Sequence, residues 1–125
     1  MRLILDTHVL IWWFEDPAQL AMDVRDAIAE PENTVLVSVV AAWEIAIKRK
    51  IGKLSAPDDL EEAVRQSGLE WLSILPRHAL ATESLPFHHR DPFDRMLIAQ
   101  AIVEDAILVS RDPQLTKYGV GLMLA

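Results

Sequence analysis

Arg2-Leu3-Ile4-Leu5-Asp6-Thr7-His8-Val9-Leu10 sets two structural periods back to back at the start of the chain. Arg2 to Leu5 is a short run of leucine and β-branched residues and reads as a strand. Asp6-Thr7 is a good N-cap pair. His8 to Phe14 beyond it reads as a helix, which Glu15-Asp16-Pro17 breaks. A buried strand running straight into a helix is the building unit of a parallel sheet.

The unit recurs. Leu20 to Glu30 repeats apolar residues at Leu20, Val24, Ala27 and Ile28, the spacing of a helix, and stops before Pro31-Glu32-Asn33. Thr34–Val37 reads as a second strand. Ser38 is placed to cap a helix from about Val39 to Lys50, with Gly52 as its stop. Ser55-Ala56-Pro57-Asp58 predicts another helix start, running to Gln66 before Gly68. Leu69–Leu72 is a weaker strand and Pro76–Ser84 a short helix. Asp91-Pro92 opens a helix through Val103, Ile107–Val109 is a strand, and Tyr118–Leu124 is the last one expected. The alternation predicts one α/β domain over residues 1–125, with a mostly parallel sheet covered on both faces. Ligands of such sheets bind beyond the carboxyl ends of the strands, near a reversal of strand order.

Composition narrows the classes. The 125 residues are 51% hydrophobic and 25% charged, which suits a globular protein with a real core. With 12 Lys+Arg against 19 Asp+Glu the net charge is −7, so contact with nucleic acid has to rest on local charge. Two basic clusters are available, Lys48-Arg49-Lys50 with Lys53, and His88-His89-Arg90 with Arg95. Either reads equally well as a solvated helix end. The absence of cysteine excludes disulfides and thiolate metal sites and fits a reducing cytoplasm. No apolar run approaches the roughly 20 residues that span a bilayer, and the opening segment is too short for a signal-peptide core. Neither a Gly-rich phosphate loop nor a G-x-S-x-G elbow is present.

Four carboxylates stand out: Asp6, Glu44, Asp94 and Asp112. Each lies at a strand's carboxyl end or near the start of the following helix, in otherwise apolar sequence. Carboxylates that converge without cations repel one another and resist ionisation, and the usual remedy is a hard divalent ion, which makes them a candidate Mg²⁺ site. Each also has a plain structural reading. Asp6 suits an N-cap, although Thr7 is able to fill that position. Glu44 shares a helical face with Val40, Ile47 and Ile51 and is spaced to pair with Lys48. Asp91 reads as an N-cap with Pro92 at the first helical position, and Asp94 as an acid near the positive helix end. Asp112, before Pro113, suits a turn, and Ser110 either orients a neighbouring carboxylate or satisfies its own backbone. His8, on the first helix turn, is placed to approach the site but fits capping or packing better. Trp12, Trp13 and Phe14 span most of a helical turn, so one is expected to be exposed and available to a protein partner.

The segments Leu5-Asp6-Thr7-His8-Val9-Leu10-Ile11-Trp12-Trp13, Trp43-Glu44-Ile45-Ala46-Ile47-Lys48 and His89-Arg90-Asp91-Pro92-Phe93-Asp94-Arg95-Met96-Leu97-Ile98-Ala99-Gln100-Ala101 together resemble the PIN-domain family. More narrowly, they look like the VapC-type ribonuclease toxins of prokaryotic toxin–antitoxin pairs. Gly52-Lys53-Leu54 and Val109-Ser110-Arg111-Asp112 fit the same pattern, with Ser110 where a threonine is common. The resemblance extends from Leu3 to about Tyr118. It implies a three-layer α/β/α sandwich around a short parallel sheet, and Mg²⁺- or Mn²⁺-dependent cleavage of RNA phosphodiester bonds. Carried over by motif, Asp6, Glu44 and Asp94 are the acidic triad and Asp112 the more variable fourth acid. It further implies a homodimer held inactive by a VapB-like antitoxin whose C-terminal segment covers the site.

On this reading Asp6 and Asp94 hold the metal, directly or through its waters. Glu44 and Asp112 complete the shell or orient the attacking water, and Lys48, Arg95 and Arg111 offset repulsion from RNA. Three rivals remain: a catalytically idle PIN fold that binds RNA or protein, a metal-dependent phosphatase, and a receiver-like module. The last needs paired acids after the first strand, which Asp6-Thr7-His8 does not offer.

Overall fold

The computed structural model describes residues 1–87 and 91–125, so the expected basic pair His88-His89 with Arg90 lies outside the described residues. The chain runs β1 (Arg2–Leu5), α1 (Thr7–Glu15), α2 (Met22–Ala29), β2 (Thr34–Ser38), α3 (Val39–Lys50), α4 (Leu60–Gln66), β3 (Glu70–Leu72), α5 (Pro76–Ala81), α6 (Pro92–Val103), β4 (Ile107–Ser110) and β5 (Leu122–Leu124), with short 3₁₀ turns between some of these. The five strands lie in the order β3-β2-β1-β4-β5, every pair parallel. The chain therefore steps outward from β1 to β3 and then returns to β1's other side. The reversal falls between β1 and β4, where a ligand crevice is expected.

Strand periodicity divides the core into two layers. Leu3 and Leu5 of β1, Val35 and Val37 of β2 and Val109 of β4 pack with Val9, Leu10, Val24, Ile28 and Val64 from α1, α2 and α4. Ile4, Leu36 and Leu108 face the other way, onto Leu97, Ile98 and Ala101 of α6. The result is an α/β/α sandwich. Helix α3 joins the layers, with Ala41 and Ile45 in the first cluster and Val40 in the second.

Four local expectations change. Helix α4 begins at Leu60, capped by the Asp59 carboxylate on the Glu62 N–H (3.2 Å), rather than near Ser55. The expected strand from Tyr118 shrinks to Leu122–Leu124, because Pro113–Tyr118 forms a 3₁₀ turn with buried Leu115 and Tyr118, ended by Gly119 at φ 71°. The face of α3 that carries Glu44 is Val40, Ala41 and Ile45, whereas Ile47 and Ile51 turn outward. A rotation of 100° per residue groups the latter with Val39 and Trp43 instead. Finally, none of Trp12, Trp13 and Phe14 is exposed; all three pack partly buried against the first core cluster.

At the amino end of the sheet, far from the crevice, Glu104 gathers three cationic or polar partners. Its Oε1 accepts from Arg2 (3.3 Å), and its Oε2 from Arg77 (3.1 Å) and His78 Nε2 (2.8 Å). His78 is fully buried, and its Nδ1 accepts the Leu75 N–H (3.0 Å), so the ring proton lies on Nε2 and points at Glu104. The cluster ties β1, α5 and the end of α6. These bonds, His78 foremost, hold the Glu104 carboxyl below the ordinary carboxylate value. Its stabilisation is thus complete above the unfolded value near 4.5 and is lost as pH falls through the lower folded value. Glu104→Gln is expected to cost about 1–3 kcal/mol at pH 7. In urea unfolding across pH, the gap from the unsubstituted protein should narrow and close as pH falls below 4.5 through the lowered folded value.

Candidate active site

The register of β1 against β4 creates the site. Leu5 pairs with Val109 and the Asp6 N–H donates to the Val109 carbonyl (3.0 Å), bringing Asp6 and Ser110 side by side at the strand ends. Asp6 is the N-cap of α1, its Oδ1 accepting from Val9 N–H at 2.9 Å. The structural and functional readings of Asp6 therefore coincide in one carboxylate. Thr7 is released from capping, and its hydroxyl donates to Glu44 Oε1 (2.6 Å).

Glu44 is buried, reached by α3 as it crosses the carboxyl end of the sheet from its Ser38 cap. Its second oxygen accepts from Lys48 Nζ, the i,i+4 pair that the spacing predicts. The Glu44 hydrogen bond raises the Lys48 pKa, helped by the charges of Asp91 and Asp94, so Lys48 keeps its proton. Asp94 enters from the first turn of α6. Asp91 caps that helix through Phe93 N–H (2.8 Å) and Asp94 N–H (3.4 Å), as its spacing implies. Asp112 follows β4 and caps the Pro113 turn by accepting from Gln114 N–H at 2.9 Å.

Ser110 serves two groups. Its hydroxyl bonds the Asp6 carboxylate, and its oxygen accepts the Asp112 N–H (3.1 Å). A threonine-like hydroxyl here both orients Asp6 and fixes the turn carrying Asp112. Burial is the largest influence on Asp6 and pushes its pKa up, while Ser110, the Val9 N–H and His8 act in the opposite sense.

All four sequence-selected acids line one open cavity of about 490 Å³, together with Thr7, His8, Trp12, Lys48, Asp91, Ser110, Arg111 and Pro113. Arg95 belongs elsewhere, contrary to expectation. Its guanidinium donates to the carbonyls of Thr82, Leu85 and Pro86 and lies over the Phe87 ring. It fastens the segment before α6 and is not among the cavity's lining residues. Asp91, Trp12 and Pro113 are lining residues that sequence reading did not assign to the site. Only Trp12 left a signal, lying four residues after His8 on one helix face.

A matching family model, the PIN domain, spans residues 3–121. This chain belongs to the PIN-domain family. Its sequence is 32% identical over 124 residues to Ribonuclease VapC22 of Mycobacterium tuberculosis (strain ATCC 25618 / H37Rv), covering 93% of this chain and 91% of that protein. Two solved structures share the fold. One is VapBC2 from Rickettsia felis bound to a DNA fragment from their promoter, with TM-score 0.73, 15% identity, and 99% and 98% of the two chains covered. The other is DNA-bound VapBC from Salmonella typhimurium, with TM-score 0.74, 17% identity, and 98% and 97% covered.

Among the described residues the PIN-domain cavity is lined by more carboxylates than cations: Asp6, Glu44, Asp91, Asp94 and Asp112 against Lys48 and Arg111. Among the described residues no three His, Asp or Glu side chains are arranged to cage an ion by themselves. Such a donor set suits a hard, largely hydrated dication held by one or two carboxylates, better than a closed zinc centre. Glu44 has both oxygens engaged, one by the Thr7 hydroxyl and the other by Lys48.

The elevated Asp6 pKa fixes a sign for stability. Ionising Asp6 costs the folded state more than the unfolded chain, so stability declines as pH rises from 3.8 through the raised value and stays reduced above it. Asp6→Asn retains the capping oxygen. In EDTA at neutral pH, calorimetry is expected to give the variant a higher melting temperature than the unsubstituted protein. Adding Mg²⁺ should raise the melting temperature of the unsubstituted protein and leave the variant unmoved.

Proposed function

We propose that this chain is a metal-dependent endoribonuclease and the toxin of a VapBC-type pair, with Asp6, Glu44, Asp94 and Asp112 as its site. The observation that carries the reading is the gathering of acids from four separate elements into one crevice at the sheet's reversal point. The 32% identity to a protein named a ribonuclease supports RNA over other phosphoesters. A half-buried Asp6 whose charge burial opposes supports a metal-holding site over an idle binding fold.

Asp6 and Asp94 would hold Mg²⁺, or Mn²⁺ in its place, directly or through its waters, with Glu44 and Asp112 completing the shell. When bound, such an ion supplies Lewis acidity toward a phosphodiester and an attacking water. Glu44 is locked in one orientation by Thr7 and Lys48, which suits alignment of a water rather than flexible ligation. Ser110 keeps Asp6 turned into the crevice. Arg111 sits at the cavity edge, where a cation offsets the approach of a phosphate backbone to a protein of net charge −7.

Cleavage of a mixed RNA pool tests this directly. Discrete fragments are expected with Mg²⁺ or Mn²⁺, and none with EDTA. Asp6→Asn and Asp94→Asn are expected to lose at least about a hundredfold in rate while keeping a native circular dichroism spectrum. Undiminished cleavage by either folded variant would sink the assignment.

Two protein contacts complete the reading. The VapBC composition of the fold relatives supports a VapB-like partner for this chain. A second copy fits the outward face of α3, where Val39, Trp43, Ile47 and Ile51 stand four residues apart and are 41%, 57%, 42% and 60% exposed. Antiparallel packing of two such rows sets Lys50 of one copy near the other's Val39 end, where Glu61 lines a small apolar hollow. Ile47→Glu is expected to convert a dimer to a monomer in light scattering without lowering the melting temperature of the monomer. An unchanged mass would move the contact off α3.

A further inference from the structure

Trp12 and Arg111 line the acidic cavity, yet the hydrolytic chemistry assigns no role to the Trp12 ring and only a diffuse one to Arg111. Trp12 lies on the same face of α1 as His8, with ring centroids 6.0 Å apart at 58°. Its other contacts are with the core, so its position is set by packing. Arg111 comes from the turn after β4 and is exposed. Its guanidinium carbon sits 4.4 Å from the centroid of the Trp12 ring. A cation over an aromatic face is held by the ring quadrupole, which restrains a side chain otherwise rich in rotamers.

The two cations of the cavity differ in what they are committed to. Lys48 is paired with Glu44, whereas Arg111 makes no salt bridge among the described residues. The Arg111 guanidinium is seated over the Trp12 ring, and the exposed Arg111 also lines the cavity. A planar, weakly hydrated group in this pose is a surface on which flat rings stack. The surrounding charge favours a base over an additional phosphate as its occupant. Among the described residues five carboxylates line the cavity, and they repel anions without opposing the stacking of an uncharged ring. The volume of about 490 Å³ lies in the range that accepts a whole small ligand, more than a phosphate group alone requires.

We propose that Arg111, seated over the Trp12 ring, is a stacking platform for one unpaired nucleobase adjoining the cleaved phosphodiester. The inference rests on the ribonuclease reading and adds to it two residues that hold the substrate. A base within a duplex has both faces covered, so the platform takes only a base that is unpaired. Arg111 and Trp12 set specificity and position the strand; they do not take part in bond cleavage.

A substitution cycle tests the platform. The bond cut by the unsubstituted enzyme in a single-stranded oligoribonucleotide is mapped first. Binding of that oligonucleotide is then measured in EDTA by fluorescence anisotropy, intact and with one abasic nucleotide at each position flanking the bond. One flanking position is expected to weaken binding about five- to a hundredfold, the loss of a single base stack. Arg111→Lys keeps the charge without the plane, and Trp12→Leu removes the support. Both should bind the intact strand more weakly and become indifferent to that abasic position. An equal abasic penalty in the unsubstituted enzyme and Arg111→Lys overturns the platform, as does equally tight binding of a blunt duplex. If the folded, unsubstituted protein neither cleaves nor binds RNA, the ribonuclease reading fails and the platform with it. Cleavage combined with a flat abasic profile removes the platform alone.

Discussion

Strand β1 is hydrogen-bonded on both sides, to β2 and to β4, and everything functional in the molecule is referred to where it ends. Its hydrophobic residues Leu3, Ile4 and Leu5 are completely buried, so it has no freedom to slip. A shift of one residue would exchange the faces of Leu3, Ile4 and Leu5 and disrupt both core layers. The position of Asp6 follows from that register. The Asp6 N–H continues the ladder onto Val109, and its carboxylate starts α1. Ser110 and Thr7 are fixed beside it by the same pairing, and Thr7 in turn reaches Glu44.

The acids of the crevice are tolerated to different degrees. Glu44 is buried but compensated, with a hydroxyl on one oxygen and an ammonium on the other. Asp6 is opposed by burial, and its hydrogen bonds only partly offset this. That contrast separates a carboxylate whose orientation is finished from one whose charge awaits a partner. A structural acid of a stable fold is expected to resemble Glu104, whose three side-chain partners hold its pKa down. Asp6 differs from Glu104 in sign, and the difference marks it as a residue retained at a cost to stability.

Much of this architecture was legible in the order of residues. The β1–α1 unit, the Ser38 cap, the Asp91-Pro92 helix start and the four acids are local patterns, and local hydrogen bonds realise them. What could not be read depends on distant packing. Thr7 and Glu44 are 37 positions apart, and their bond requires the β1–β2 register together with the rotation of α3. Arg95 looked like a cation for the site because of its neighbours in sequence. Three backbone carbonyls of the preceding segment claimed it instead. Tyr118–Leu124 read as one strand, but Tyr118 is buried with Leu115 as the end of a 3₁₀ turn over Pro113–Tyr118, and the strand starts only at Leu122.

The pairing of Leu3 with Ile107 has a consequence for the order in which the molecule is made. Within this domain β1 is synthesised well before β4, and β2 can join it early. Its opposite edge has to wait until β4 follows α6. Ser110 and Asp112 arrive only with that late edge. A partly made domain therefore contains Asp6, Glu44 and Asp94 without the neighbour that orients Asp6, and its crevice takes shape only when β4 docks on β1.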